Sequence, residues 1–322
     1  MRITFIITAV IFLSTPVLAS PAYKTDTGPF DVAVAVDVML PFDELEKDLS
    51  LRIAYPVEPG VYPVIVFSHG GGCAKDTYSR LSDHWASHGY VVIEPLHADS
   101  RSLGFSFART KSDVIMKVVY SRRLDMRHIL DSLEIIEQRV PQLAGRMDDQ
   151  RLVAAGHSMG GATAMAVTGL EMKNNVTGIV EGFPEDRFDA LLLIGDPGNR
   201  GFMPDAPWRA ISVPTLIVTG TNDSGERIDE SRMQFEVANE IKVANTPKHY
   251  LFITGMDHYL GGLICRSDIE GEPDYDALAI ARGVSTAFLD AFMKDDSAAR
   301  QLLGGEALPE LTEGRATLED RQ

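Results

Sequence analysis

Arg151-Leu152-Val153-Ala154-Ala155-Gly156-His157-Ser158-Met159-Gly160-Gly161-Ala162-Thr163-Ala164-Met165-Ala166-Val167 decides the fold. The apolar run that opens it reads as a short buried strand. The small residues and good helix formers that close it contain no proline and read as a helix. Between the two stands Gly-His-Ser-Met-Gly, the G-x-S-x-G pattern of a strand-to-helix turn that presents a serine. Such a turn holds Ser158 in strained backbone geometry, and a Cβ at Gly156 or Gly160 would collide with the neighbouring strand or helix. Five residues of this kind also occur as a chance glycine-rich turn; the strand before and the helix after give these their meaning.

A serine hydroxyl is a weak nucleophile at neutral pH, so the turn is useful only with a histidine base and an acid to orient it. The chain order expected for an α/β-hydrolase arrangement is Ser, then Asp or Glu, then His. Of eight histidines, only His249 and His258 follow both candidate acids, Asp196 and Asp223. His249 falls inside Lys248-His249-Tyr250-Leu251-Phe252-Ile253, which reads as the last strand. His258 sits beyond it in a glycine-flanked loop, Gly255 to Gly262, and is assigned as the base. Asp223 ends the apolar run Pro214 to Val218 and its polar turn, while Asp196 ends Ala190 to Gly195 one strand earlier. Asp223 is preferred because the strand just before the histidine strand usually supplies the acid. Asp196 remains the alternative, with a turn before Pro197-Gly198 as its other role.

Ser68-His69-Gly70-Gly71-Gly72 follows the strand Pro63 to Phe67 and supplies bare backbone where a tetrahedral oxyanion needs N–H donors. The second donor expected is the N–H of Met159, directly after the nucleophile. Val66 to Gly72, Tyr78-Ser79, Trp85 to Val92, His97 to Ser100 and Gly156 to Thr163 together resemble the platelet-activating-factor acetylhydrolase group of α/β-hydrolases. Pro214 to Val218 through Asn222-Asp223 is more similar to bacterial cutinases and polyester hydrolases. This resemblance spans about Val61 to Leu303. It implies a serine esterase fold and mechanism, with Gly71 at the oxyanion position. The acetylhydrolase and chlorophyllase branches resemble each other in taking the acid after the earlier strand, where Asp196 stands, so the resemblance leaves the acid open. Dienelactone hydrolases are similar in outline but use cysteine, and Ser158 departs from them.

Arg2, the apolar run Ile3 to Leu13 and Val17-Leu18-Ala19 read as a secretory signal over residues 1–19, too short in its apolar core for a membrane span of about 20 residues. Residues 20–322 then form a single domain, periplasmic or secreted, with no integral membrane association expected. The formal charge of −16, from 46 acidic and 30 basic residues, disfavours nucleic acid and anionic membrane surfaces as partners. Cys73 and Cys265 are the only cysteines and flank the proposed site from both sides; in an oxidising compartment they are able to pair, the alternative being two free buried thiols. No Cys-x-x-Cys, His-Glu-x-x-His or calcium-loop pattern occurs, so neither metal nor cofactor is expected.

Asp31 to Val38 and Leu49 to Tyr55 alternate and predict an N-terminal antiparallel pair. Repeated strand–helix units follow: Val64–Phe67, a helix near Asp76–Ser87, Tyr90–Glu94, a helix near Leu124–Arg139, the serine turn, the two acid strands and the histidine strand. This alternation predicts an α/β fold, a mostly parallel central sheet flanked by helices. Tyr275 to Met293 is a helix whose Leu278, Ile280, Val284, Phe288, Leu289 and Phe292 form a packing stripe. From Gly304 a loosely packed tail is expected. Ser100 to Tyr120 and Gly169 to Arg187 read as short lid-like insertions; Leu103, Phe105 and Phe107 suit either an apolar ester or the anchoring of a loop. The function read from these residues is hydrolysis of a small-molecule or polymeric carboxylic ester through an acyl-enzyme. Amide or lactone hydrolysis on the same residues and a non-catalytic ligand-binding role are the alternatives.

Overall fold

Tyr62 to Ser68 is buried along its whole length, and its side chains divide between two cores. Ile65 and Phe67 pack with Leu81, Trp85 and Phe288, whereas Val64 and Val66 pack with Met126, Ile129 and Ala164. A strand that buries both faces needs a layer of helices on each side, and the computed structural model has that arrangement. It describes residues 22–173, 178, 180–195, 211–223, 246–269 and 271–321. The proposed leader and Asp196 lie outside them.

The strands are β1 (Val32–Phe42), β2 (Lys47–Pro56), β3 (Tyr62–Ser68), β4 (Val91–Pro95), β5 (Met147–His157), the two-residue pair β6 (Met172–Lys173) and β7 (Val180–Glu181), then β8 (Ala190–Ile194), β9 (Thr215–Asn222), β10 (Lys248–Asp257) and β11 (Ala316–Arg321). Nine of them form one sheet in the order β1-β2-β4-β3-β5-β8-β9-β10-β11. The run from β4 to β10 is parallel, and the antiparallel members are β1, β2 and β11. The mostly parallel α/β sheet and the antiparallel entry pair expected from the sequence are both present.

Helices α1 (Ser79–Ser87) and α5 (Tyr275–Met293) cover one face. On the other lie α2 (Ser112–Asp131), α3 (Leu133–Arg139) and α4 (Met159–Val167). The Asp274 side chain caps α5 by accepting from Ala277 N at 3.0 Å. Leu278, Val284, Phe288 and Leu289 are buried, each contributing about 1.5–3 kcal/mol.

Three expectations change. The single helix anticipated at Leu124–Arg139 is two, broken at Ser132, and the first begins at Ser112, so half of the presumed lid at Ser100 to Tyr120 belongs to a helix. The His249 strand is not the last. The tail from Gly304 is not loose, because β11 pairs with β10 in antiparallel register from Ala316 opposite Ile253 to Arg321 opposite Lys248.

The parallel strands end level with one another. Ser68 is opposite Gly156, His157 is opposite Ile194, and Ile194 is opposite Val218. Ligands of open α/β sheets bind outside such carboxyl ends.

Candidate active site

Ser158 follows β5 and precedes α4 with φ 55° and ψ −120°, a conformation that an L-residue adopts only under constraint. The constraint is close packing of backbone. A Cβ on Gly160 would lie 1.9 Å from the Ser68 carbonyl oxygen, and one on Gly156 would lie 2.3 Å from Gly160. Glycine at both positions lets β3, β5 and α4 meet at the serine. Ser158 N donates to Ile194 O at 3.2 Å, which ties the turn to β8. Met159 is the first residue of α4, where a backbone N–H has no partner inside the helix.

The loop after β3 has two of its amides occupied. Gly70 N donates to the Tyr78 hydroxyl at 2.9 Å and Gly72 N donates to Asp99 Oδ2 at 3.1 Å. Gly71, between them, donates to none of the described residues, and a Cβ on it would lie 3.1 Å from Met159 Cε. The two proposed oxyanion donors thus belong to neighbouring residues.

Beneath that loop lies a buried ionic cluster. Arg122, Asp99 and His97 are fully buried. Arg122 meets Asp99 through two hydrogen bonds, at 2.8 and 2.7 Å, and its remaining donors reach His69 O at 2.6 Å and Gly70 O at 3.2 Å. Burial raises the Asp99 pKa, yet the Arg122 charge and its hydrogen bonds outweigh this, leaving the carboxyl well below the ordinary range. His97 donates from Nδ1 to Asp125 at 2.8 Å and accepts from Ser68 Oγ at 2.9 Å. Arg122 was not anticipated as part of the site. A lone arginine in a helical pattern reads as a solvated face, and only packing reveals it as a clamp.

On the opposite side His258 Nδ1 is hydrogen-bonded to Asp223 Oδ1. Asp223 Oδ2 accepts from the Thr219 hydroxyl at 2.5 Å. Burial pushes the Asp223 pKa up, but His258 and Thr219 together bring it below its ordinary value. His258 is partly exposed while Asp223 is buried, so the ring reaches solvent and its partner does not. The loop carrying His258 contains left-handed residues at Leu260 and Cys265. Cys265 is disulfide-bonded to Cys73, the first residue past the three glycines.

Phe107 stands 3.6 Å from the position a Gly71 Cβ would take and packs edge-to-face on Phe105 with ring centroids 5.0 Å apart. The loop is fastened by Arg101, whose N and Nε both donate to Gly72 O.

A family model described as Chlorophyllase matches residues 25–180, a span that contains the glycine loop and Ser158 and stops before Asp223 and His258. Chlorophyllase-1 of Arabidopsis thaliana is 32% identical over 83 residues, covering 24% of this chain and 26% of that protein. Chlorophyllase type 0 of Chenopodium album is 30% identical over 125 residues, 38% of this chain and 33% of that protein. Platelet-activating factor acetylhydrolase of Cavia porcellus is 27% identical over 135 residues, 32% of this chain and 31% of that protein. The chain belongs to the α/β-hydrolase superfamily. It spans about a quarter to a third of the length of these relatives, and the family model's match falls in the half that holds the serine. Among the described residues no helix is long and apolar enough to cross a membrane.

Proposed function

We propose that this α/β-hydrolase cleaves carboxylic esters by a Ser–His–Asp mechanism. Ser158 Oγ attacks the ester carbonyl while His258 Nε2 takes its proton, and the N–H groups of Gly71 and Met159 receive the oxyanion. The alcohol departs with the proton returned by His258. Water, deprotonated by the same imidazole, then attacks the acyl-enzyme and releases the acid. Asp223 holds the proton on His258 Nδ1 and stabilises the imidazolium; an amide or alkyl group there would do neither. The observation that carries this reading is a strained serine at the head of a helix, with a buried carboxylate hydrogen-bonded to a partly exposed histidine at the ends of neighbouring strands. An acetylhydrolase among the relatives is in keeping with acyl-group hydrolysis.

The compartment proposed is the periplasm or the exterior, for a single domain released from the leader at residues 1–19. Support comes from the Cys73–Cys265 disulfide, a bond that persists in oxidising surroundings.

The test is labelling by a fluorophosphonate together with hydrolysis of p-nitrophenyl esters of increasing acyl length. Wild type should react with both, and Ser158→Ala should lose labelling entirely and about 10⁴- to 10⁶-fold in kcat. Wild-type-like turnover in Ser158→Ala would remove the mechanism.

A further inference from the structure

His157, the residue before the nucleophile, is fully buried and belongs to none of the roles above. Its Nε2 lies 2.8 Å from the His258 backbone carbonyl, which can only accept, so Nε2 carries the proton. Its Nδ1 lies 2.8 Å from the Tyr78 hydroxyl. That hydroxyl in turn accepts from Gly70 N at 2.9 Å. A neutral ring leaves Nδ1 free to accept, so the directions are forced: Gly70 N–H to Tyr78 oxygen, Tyr78 O–H to His157 Nδ1, His157 Nε2–H to His258 carbonyl. Each polar group in the chain is satisfied once, with no net charge.

We propose that Tyr78 and His157 are positioning residues that set the distance between the oxyanion loop and the base His258. The two loops arise from β3 and β10, which are separated in the sheet by β5, β8 and β9, and this chain of hydrogen bonds spans the strand ends between them. Gly195 makes room for it. With φ 66°, it directly follows β8, where a Cβ would lie 2.8 Å from His157 Cδ2 and 3.5 Å from His258 Cε1. The His157 and His258 rings pack with centroids 4.7 Å apart. A charged imidazole at that separation would oppose the imidazolium formed on His258 during acylation, and burial together with the His258 charge lowers the His157 pKa to about 3. A neutral link therefore fixes the base without resisting its protonation.

The proposal rests on the esterase reading, and the experiment separates the two. Tyr78→Phe removes one oxygen and leaves a ring of the same shape. On a p-nitrophenyl ester it should lower kcat about 10- to 100-fold, the scale of a small misplacement of reacting groups, with KM within about twofold. The acid limb of kcat/KM, which reports His258 in the free enzyme, should move by about half a pH unit or more. Fluorophosphonate labelling, counted per folded molecule, should slow by the same factor as kcat. His157→Gln is the second variant, and the double variant should lose no more than the worse single, because both interrupt one link. A kcat within about twofold of wild type, an acid limb that does not move, or additive losses in the double variant would each overturn the proposal. A wild type that neither hydrolyses esters nor labels would overturn the esterase reading and the proposal with it.

Discussion

The two halves of the site are held by different physics. The oxyanion loop rests on a buried guanidinium–carboxylate pair: Arg122 holds the carbonyls of His69 and Gly70 while Asp99 holds the amide of Gly72. The histidine loop is held by a neutral hydrogen-bond chain, a disulfide and residues in left-handed conformations. Charge-assisted bonds suit the first half because nothing there changes protonation. In the second half Asp223 already supplies the negative charge that the imidazolium needs, and a cation beside His258 would oppose the proton it must gain in each cycle. Rigid placement by charge and placement without an added charge are thus demanded at neighbouring points, and each is met by a different kind of contact.

Asp223→Asn should have the largest effect on this comparison. The amide presents the wrong hydrogen-bonding partner to Nδ1 and cannot stabilise an imidazolium, so kcat should fall about 10⁴-fold with stability little changed. Asp196→Asn should cost much less. If the ranking is reversed in activity assays at matched folded fraction, the acid belongs after β8 and the reading of the histidine half fails. Next is Arg122→Met, which leaves Asp99 buried without its partner and should destabilise the fold by about 3–5 kcal/mol in urea unfolding. Adding Asp99→Asn should recover part of that loss; a midpoint unmoved by Arg122→Met would show that the clamp does not hold the loop.

How much of this was legible in the sequence depends on the range of the interaction. Ser158 and its glycines were readable because the steric demand is local, five residues between a strand and a helix. The Ser–Asp–His order was readable because it follows the strand order. Arg122, Tyr78 and His157 were not, since their partners lie 53, 79 and 101 residues away in the chain. His157 was hidden further by standing at the variable position of the motif. β11 escaped because Ala316 and Leu318 are its only apolar residues of the inward face, and an edge strand otherwise carries charges that discourage further pairing.

The disulfide gives a smaller effect. Cys73 and Cys265 are 192 residues apart in sequence, so the bond removes a long loop from the unfolded ensemble. Reduction, or Cys73→Ser with Cys265→Ser, should lower stability by about 2–4 kcal/mol. If the neutral hydrogen-bond chain also registers the two loops, kcat measured per folded molecule should survive within about tenfold. A total loss of turnover in fully folded reduced protein would assign the registration to the disulfide alone.

The smallest effect is on pH, through imidazoles buried in both halves and outside them. Burial lowers the pKa of His84 to about 3, of His157 to about 3 and of His249 to about 4. Each is neutral in the fold, whereas in the unfolded chain it takes a proton below about 6.5. The unfolded state therefore binds more protons, and stability falls as pH drops from about 6.5 towards the folded values of 3 to 4. At pH 5 each imidazole costs about 2 kcal/mol, taking 1.36 kcal/mol per pH unit. Glu94 works in the opposite direction: burial pushes it up to about 7 despite Arg52 beside it, so its contribution grows as pH falls and offsets about one imidazole. The Asp99 carboxyl, held low by Arg122, stays ionised throughout this range and keeps the oxyanion clamp intact. Thermal unfolding between pH 8 and pH 5 should thus show a falling midpoint, and His249→Leu should flatten the fall. His69 and His97 beside Arg122 are held neutral by burial in the same way, so hydrogen exchange at pH 5 should show weaker protection both in residues 255–265, next to His157, and in residues 68–73. Protection in residues 68–73 that does not change between pH 8 and pH 5 would mean that the imidazoles beside Arg122 do not couple that loop to acid.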